Sequence, residues 1–334
     1  MSNSKSSIPA ALTLFFLAPL VAEFLLGDLP VTLLPALIML APMYGGGALL
    51  IRELTRRSGR GWPTMLLLGC AYTLIEEGFA TQSLFNRNFL GMHLLEHAWI
   101  PSLGVGAWWT ILMFNVHPLW SMGVPIALSE GLFPWRGRAP WLGKTGVCVA
   151  AILFVAGVIA NGAFSYHQSH FRASTVQFLV TALFSILFVV AAFLLPSPPL
   201  RATAGEVPSP WLAGSAAFLF GILAFFTPPQ WNWGAFAFIA AVDLVSLSSL
   251  WVIARRSGWT LLHTLSLGAG GAVFYGLHAF LQNSVVPSHR WLVRFGNALF
   301  LVLAIAVIVI ATRRTRSALR VGSAQTTPSG PPVL

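Results

Sequence analysis

The chain has 334 residues, of which 56 % are hydrophobic and only 8 % charged, and its formal net charge is +10. Soluble domains carry about 25 % charged residues, so a water-soluble enzyme or binding module is excluded. The basic excess is read by its position relative to a bilayer, not as a footprint for nucleic acid.

Apolar runs near the roughly 20 residues that cross a bilayer as helix recur at 8–27, 31–51, 62–80, 104–131, 143–164, 174–195, 211–226, 233–253, 259–282 and 291–311. They predict an all-α, polytopic membrane bundle of ten spans with both termini cytoplasmic. The first run follows Lys5 as a signal peptide would, but no small-x-small cleavage site comes after it, so it is read as an uncleaved helix. The second holds Pro35, Pro42 and Gly45-Gly46-Gly47, which predicts close backbone packing and a kink. The third ends on Glu76 and Glu77, ionisable residues inside an otherwise apolar run and therefore candidates for a working site. Glu23 and Glu130 lie towards span ends and are read as snorkelling or capping residues. The two cysteines, Cys70 and Cys148, fall within spans and are read as packing residues. A Pro-rich linker, 196–210, allows a division into six spans and four. The transmembrane domain is placed at 1–311 and a disordered cytoplasmic tail at 312–334.

Orientation follows from the cations. With ten spans, 15 of the 19 Lys and Arg fall on one side, from Lys5 and the Arg52–Arg60 turn to Arg320. Only Arg87, Arg172, Arg290 and Arg294 fall on the other. The positive-inside rule puts the first side in the cytoplasm. Depth then follows from the helical rise: Glu77 is roughly 22 Å and His117 roughly 16 Å along their spans. Asn161, His278 and Gln282 also come towards the outer ends of theirs, so a polar cavity in the outer half of the membrane is expected. Adjacent helical residues diverge by about 100°, so Glu76 and Glu77 cannot share a direction. Tyr72 and Thr73 stand one turn before them with a hydroxyl each.

These residues carry a resemblance. Glu76-Glu77, Phe114-Asn-Val-His117, Phe274-Tyr-Gly-Leu-His278 and His278-Ala-Phe-Leu-Gln282 resemble the EExxxR, FxxxH and HxxxN motifs of the CAAX-processing and bacteriocin-processing (CPBP) intramembrane proteases. Thr81 stands where that motif has Arg, the Phe114–His117 spacing is one residue short, and Gln282 replaces Asn or Asp. The resemblance implies a glutamate-dependent hydrolase acting on a peptide or lipid-linked substrate. Glu76 or Glu77 would be the general base, with Glu77 favoured for its small, partly polar face of Thr73, Ala80 and Thr81. His117 and His278 would orient water or stabilise the oxyanion, and Tyr72, Thr73, Asn115, Asn161 and Gln282 would support them.

Other readings use the same residues. A proton-coupled transporter or ligand-binding membrane protein would titrate the glutamates and extend a polar path through Asp243; a scaffold would use them only as an interhelical clamp. No cofactor is expected. The alternative metal site is His93-Leu-Leu-Glu96-His97, a literal HxxEH, to which His167 or His170 could add a ligand. The expected partners are the lipid bilayer and the substrate, with no nucleic acid. Seventeen Arg against two Lys favours a GC-rich genome and hence a bacterial plasma membrane.

Overall fold

The computed structural model describes residues 7–195 and 203–326, with side chains described to Val321. Its α-segments are α1 (Ile8–Pro19), α2 (Leu37–Arg57), α3 (Trp62–Leu74), α4 (Ala107–Asn115), α5 (Val124–Leu132), α6 (Lys144–Ser169), α7 (Thr175–Leu194), α8 (Pro210–Phe225), α9 (Trp233–Ile253), α10 (Leu261–His278) and α11 (Arg290–Thr326). Because α1 and α3 run on into π-helical turns, and α4 and α5 are joined by one, these segments form ten rods. Each rod lies within or overlaps one of the expected spans. Among the described residues, seven helices are long and apolar enough to cross a membrane, and α8 is a shorter apolar helix. The remaining two rods, α3 with its glutamates and α10 with its glycines and histidines, are diluted in hydropathy by those residues. The chain is an all-α polytopic membrane bundle. Among the described residues the extended structure is a two-residue ladder, β1 (Trp99–Ile100) against β2 (Val105–Gly106), in one connection, and a single bridge between Thr203 and Arg256.

Contacts at the two ends show that the rods alternate. Thr64 at the start of α3 bonds Ala192 O at the end of α7, at 3.1 Å. Arg57 at the end of α2 bonds Leu142 O, and Arg60 bonds Leu195 O. At the same end Thr315 and Arg314 of α11 donate to Gly131 O and Leu132 O at 3.1 and 3.0 Å. At the opposite end Gln282 bonds Leu26 O at 2.6 Å, and Ser165 bonds Thr81 O at 3.0 Å. The first of these ends holds the arginines and is the cytoplasmic one by the positive-inside rule.

Several boundaries differ from expectation. The last helix does not stop at Thr312 but runs to Thr326. Arg, Ala and Leu are good helix formers, and the bonds from Arg314 and Thr315 to the end of α5 hold the first turns beyond the bilayer. Residues 196–202 of the linker, Lys5, Arg201 and residues 327–334 of the tail lie outside the described residues. Beyond the linker, α10 packs back on the first rods. Trp120 Nε1 donates to Gly271 O at 3.1 Å, and the Trp120 ring stacks on Tyr275 at 5.4 Å.

Glu130 does not snorkel. Its carboxylate accepts from Arg56 Nε at 2.9 Å and Nη2 at 2.7 Å, and from Arg52 Nε at 3.1 Å, all buried. Arg52 also bonds Glu53 at 2.7 Å and lies over the Trp141 ring at 3.4 Å, while Glu53 accepts from the Trp141 and Leu142 N–H groups. Two acids and two guanidiniums thus neutralise one another in a planar, bidentate geometry that Lys could not supply.

The three glycines of α2 behave as the packing reading predicts. A Cβ on Gly45 would lie 2.0 Å from Phe15 O of α1, and one on Gly47 would lie 2.6 Å from the Tyr72 ring of α3. Only the absence of a side chain lets α2 fit between these neighbours. The rods α6, α7 and α9 stand at the periphery, with Ile152, Ile159, Leu179, Leu183 and Leu244 exposed; in a bilayer this surface meets lipid.

Candidate active site

Three of the rods loosen from α to π geometry for a turn or more, at Leu20–Leu25, Ile75–Ala80 and Val116–Gly123. π-turns are rare and collect at functional sites. Here they carry Glu23, Glu76 with Glu77, and His117, ionisable residues embedded in apolar helices. Local sequence accounts for at least one of them. Pro118, inside the third turn, has no N–H to close an α-type ladder. In the second turn, Gly78 admits Thr181 of α7, whose Cγ2 would be 2.5 Å from a Cβ there.

The His117 imidazole sits between the two glutamates. Its Nε2 is 2.8 Å from Glu77 Oε1 and its Nδ1 is 3.0 Å from Glu76 Oε2, with all three side chains buried. The divergence of Glu76 and Glu77 is therefore what the geometry uses, because the two ring nitrogens point apart as well. Both nitrogens can donate only when both carry hydrogen, so an imidazolium between two carboxylates satisfies the arrangement.

The two carboxylates are not equivalent. Glu77 Oε2 also accepts from Thr81 Oγ1 at 2.8 Å and from Ser83 Oγ, which in turn accepts from Trp109 Nε1 at 3.0 Å. Glu76 Oε1 accepts from the Tyr44 hydroxyl. Glu76 Oε2, His117 Nδ1 and the Tyr72 hydroxyl are buried without a well-aligned hydrogen bond, the first two facing each other only as an ion pair. Tyr72 flanks the imidazole, its ring centroid 5.9 Å from that of His117. Glu77 is thus the anchored member and Glu76 the less constrained one, the reverse of the sequence expectation. That expectation rested on Thr73, Ala80 and Thr81; Thr73 instead turns back to Gly69 O at 3.0 Å, and Thr81 ties Glu77 down rather than leaving room for water.

The remaining expected residues are placed elsewhere. His278 packs among Phe225, Phe274 and Phe226, with ring centroids at 5.1, 5.6 and 5.7 Å. Gln282 bonds Leu26 O and Asp28 Oδ1 at the outer end, at 2.6 and 2.8 Å. Asn115 bonds Ile111 O at 3.2 Å and Asp243 Oδ2 at 3.1 Å, and Asn161 ties α6 to Met39 O at 3.2 Å. Glu76, Glu77, His117 and Tyr72 come together; Thr73, Asn115, Asn161 and Gln282 serve local or interhelical bonds, and His278 packs against aromatic rings.

Two members of the cluster were not singled out from the sequence. Tyr44 is hydrogen-bonded to both Glu76 and Glu23, the latter at 2.5 Å, so Glu23 belongs to the cluster instead of snorkelling to an interface. The available signal was the acid inside the first apolar run; nothing in the spacing marked Tyr44.

The HxxEH segment folds into turns, and His93 adopts a positive φ of 52°. Two histidines four apart converge on one metal when they stand one turn apart on a helix, and this segment is not helical. Here His93 pairs with Glu96 at 3.2 Å in an exposed position, while His97 lies edge-on to Trp108. Among the described residues, the group with donors close enough for a small cation is Glu76, Glu77 and His117, within 4.8 Å of one another. In this arrangement the same donors are engaged with each other.

A family model described as an uncharacterized membrane protein family matches residues 12–312. No curated protein and no solved structure matches the chain.

Proposed function

Since the chain belongs to that uncharacterized membrane protein family, its chemistry is argued from its own residues, and we propose that it is a glutamate-dependent intramembrane hydrolase. Its substrate class is a peptide or a lipid-linked molecule, as the motif resemblance to CPBP proteases implies. The observation that carries the reading is His117 held by both ring nitrogens between Glu76 and Glu77. A carboxylate that fixes an imidazole and a second carboxylate whose Oε2 faces that imidazole without a well-aligned hydrogen bond are the parts of a general acid–base device. Glu77, tied to Thr81 and Ser83, fixes the imidazole. Glu76 takes the proton of an attacking water, and His117, with Tyr72 beside it, stabilises the negative charge that develops. The carboxylates are buried in the interior of the bundle, where such interactions are stronger than in water.

A proton-coupled transporter has some support from the Tyr44 link between Glu76 and Glu23. It also needs a polar path to the cytoplasm. Between Tyr44 and the Arg52 clamp, α2 offers only Gly45–Gly47, Ala48, Leu49, Leu50 and Ile51, and Asp243 is bonded to Asn115 instead of to the cluster. The hydrolase reading therefore stands ahead.

The test is turnover in ¹⁸O-labelled water. The protein in lipid nanodiscs is presented with libraries of membrane peptides and lipid-linked peptides, and products are analysed by mass spectrometry. One labelled oxygen per cleaved bond, absent with Glu76→Gln, is the expected result. Cleavage that persists in Glu76→Gln, or no labelled product alongside proton-driven solute uptake in proteoliposomes, would overturn the reading.

A further inference from the structure

We propose that Glu23 and Tyr44 form a proton relay that connects Glu76 to the outer aqueous phase, an inference that rests on the reading of Glu76 as the base. It starts from a count of hydrogens. The Tyr44 hydroxyl contacts a carboxylate oxygen of Glu23 and one of Glu76, yet a phenol has a single hydrogen to donate. With both acids ionised, one of these contacts would press phenol lone pairs against a buried carboxylate oxygen. Both become hydrogen bonds if one carboxyl holds a proton: Glu23 donates to the Tyr44 oxygen, and Tyr44 donates to Glu76.

That state has a mirror image one step away. The Tyr44 hydrogen passes to Glu76 as the Glu23 hydrogen passes to Tyr44. One O–H bond breaks and one forms at the phenol; Glu23 ends ionised and Glu76 protonated, with no change in total charge. Once Glu23 has released its own proton outward, the same step run in reverse clears Glu76 after it has taken a proton from water.

Position gives the relay a direction. Tyr44, Glu76, Glu77 and His117 are buried, whereas Glu23 is only half-buried and lies on the π-turn that closes the first span, just before the outer connection. The groups facing Glu23 are Asp28 from its own connection, Tyr44 from α2, Tyr72 and Glu76 from the rod of α3, His117 from the rod of α4 and α5, and Tyr275 from α10. Glu77 is committed to His117, Thr81 and Ser83, and the cytoplasmic side of Tyr44 is glycine and aliphatic. Glu23 is then the exit that the hydrogen bonds mark.

Infrared spectroscopy of the full chain in nanodiscs tests this without a substrate, so a failed hydrolase reading and a failed relay are told apart. At neutral pH the wild type should show a carboxylic-acid C=O band that shifts in D₂O and is absent in Glu23→Gln. Tyr44→Phe keeps the ring but removes the relaying hydroxyl; at acid pH, where Glu76 also carries a proton, the acid band that is lost in Glu76→Gln should deuterate more slowly in Tyr44→Phe than in wild type by about tenfold or more, the factor that corresponds to about 1.4 kcal/mol. If Glu23→Gln fails to fold, the Tyr44→Phe exchange rate decides alone. A band unaltered by Glu23→Gln, or deuteration in Tyr44→Phe as fast as in wild type, would show the pair to be only a structural clamp.

Discussion

Replacing each glutamate of the pair by Gln separates their roles. Gln keeps the shape and one carbonyl oxygen but turns charge-assisted hydrogen bonds into neutral ones. Hydrogen bonds to charged groups contribute about 1.5–3 kcal/mol and neutral ones about 0.5–1.5, a loss of about 1 kcal/mol per bond. Glu77 receives three donors, from His117, Thr81 and Ser83, so Glu77→Gln should destabilise the bundle by about 3 kcal/mol on that scale. Glu76 receives one well-formed bond, from Tyr44, beside a poorly aligned approach to His117 Nδ1, so Glu76→Gln should cost about 1 kcal/mol. In the latter variant a neutral imidazole can accept from the new amide at Nδ1 and still donate to Glu77, which leaves no orphan. Unfolding of the two variants in mild detergent against denaturant measures the gap, and turnover measures activity. The expected pair is a stable, inactive Glu76→Gln and a visibly less stable Glu77→Gln. Equal stabilities, or Glu76→Gln as the weaker fold, would refute the assignment of Glu77 as the anchor.

Other outcomes follow from the same geometry. Glu130→Gln leaves the buried Arg52 and Arg56 without their shared counter-charge and should cost about 3–5 kcal/mol, measured by the same unfolding assay, with Arg56→Met in the Glu130→Gln background recovering part of it. Burial pushes the Asp28 carboxyl, which lies between the first two spans, from 3.8 up to about 7 despite the Gln282 hydrogen bond. The folded state then favours the neutral acid, so this group's contribution to stability falls as pH rises from about 4 through about 7; Asp28→Asn should melt like wild type near pH 4 and higher than wild type near pH 8. With Cys70 and Cys148 replaced, a cysteine at Ser58 should resist an impermeant reagent in intact cells while one at His93 reacts, and the opposite pattern would invert the topology. Purified protein should carry no stoichiometric zinc after dialysis; one zinc per chain, lost in His117→Ala, would make Glu76, Glu77 and His117 a metal centre instead of a proton-sharing one.

The sequence by itself determined the bundle, because apolar length and cation placement are summed over many residues and no single contact can undo them. It also marked Glu76, Glu77 and His117, since a charge in an apolar run is costly wherever the helix packs. Polarity alone, however, does not say which way a side chain turns. Asn161, Asn115 and Gln282 have the same inventory of donors as site residues, and each found a nearer carbonyl or carboxylate. His278 met Phe225 and Phe226 at the end of α8, which its own helix, with Phe274, does not supply. Glu130 and Glu23 were misjudged from their distance to span ends: depth along one rod is a local property, while a partner on another rod is not. Tertiary structure decided the rest. The π-turns re-aim side chains by inserting a residue into a helical turn, which no hydrophobic periodicity records, and the bare face of Gly45–Gly47 lets α2 come close enough for Tyr44 to reach two carboxylates at once. Which glutamate is held and which is left to react depends on donors from three separate rods, and so on how the helices pack.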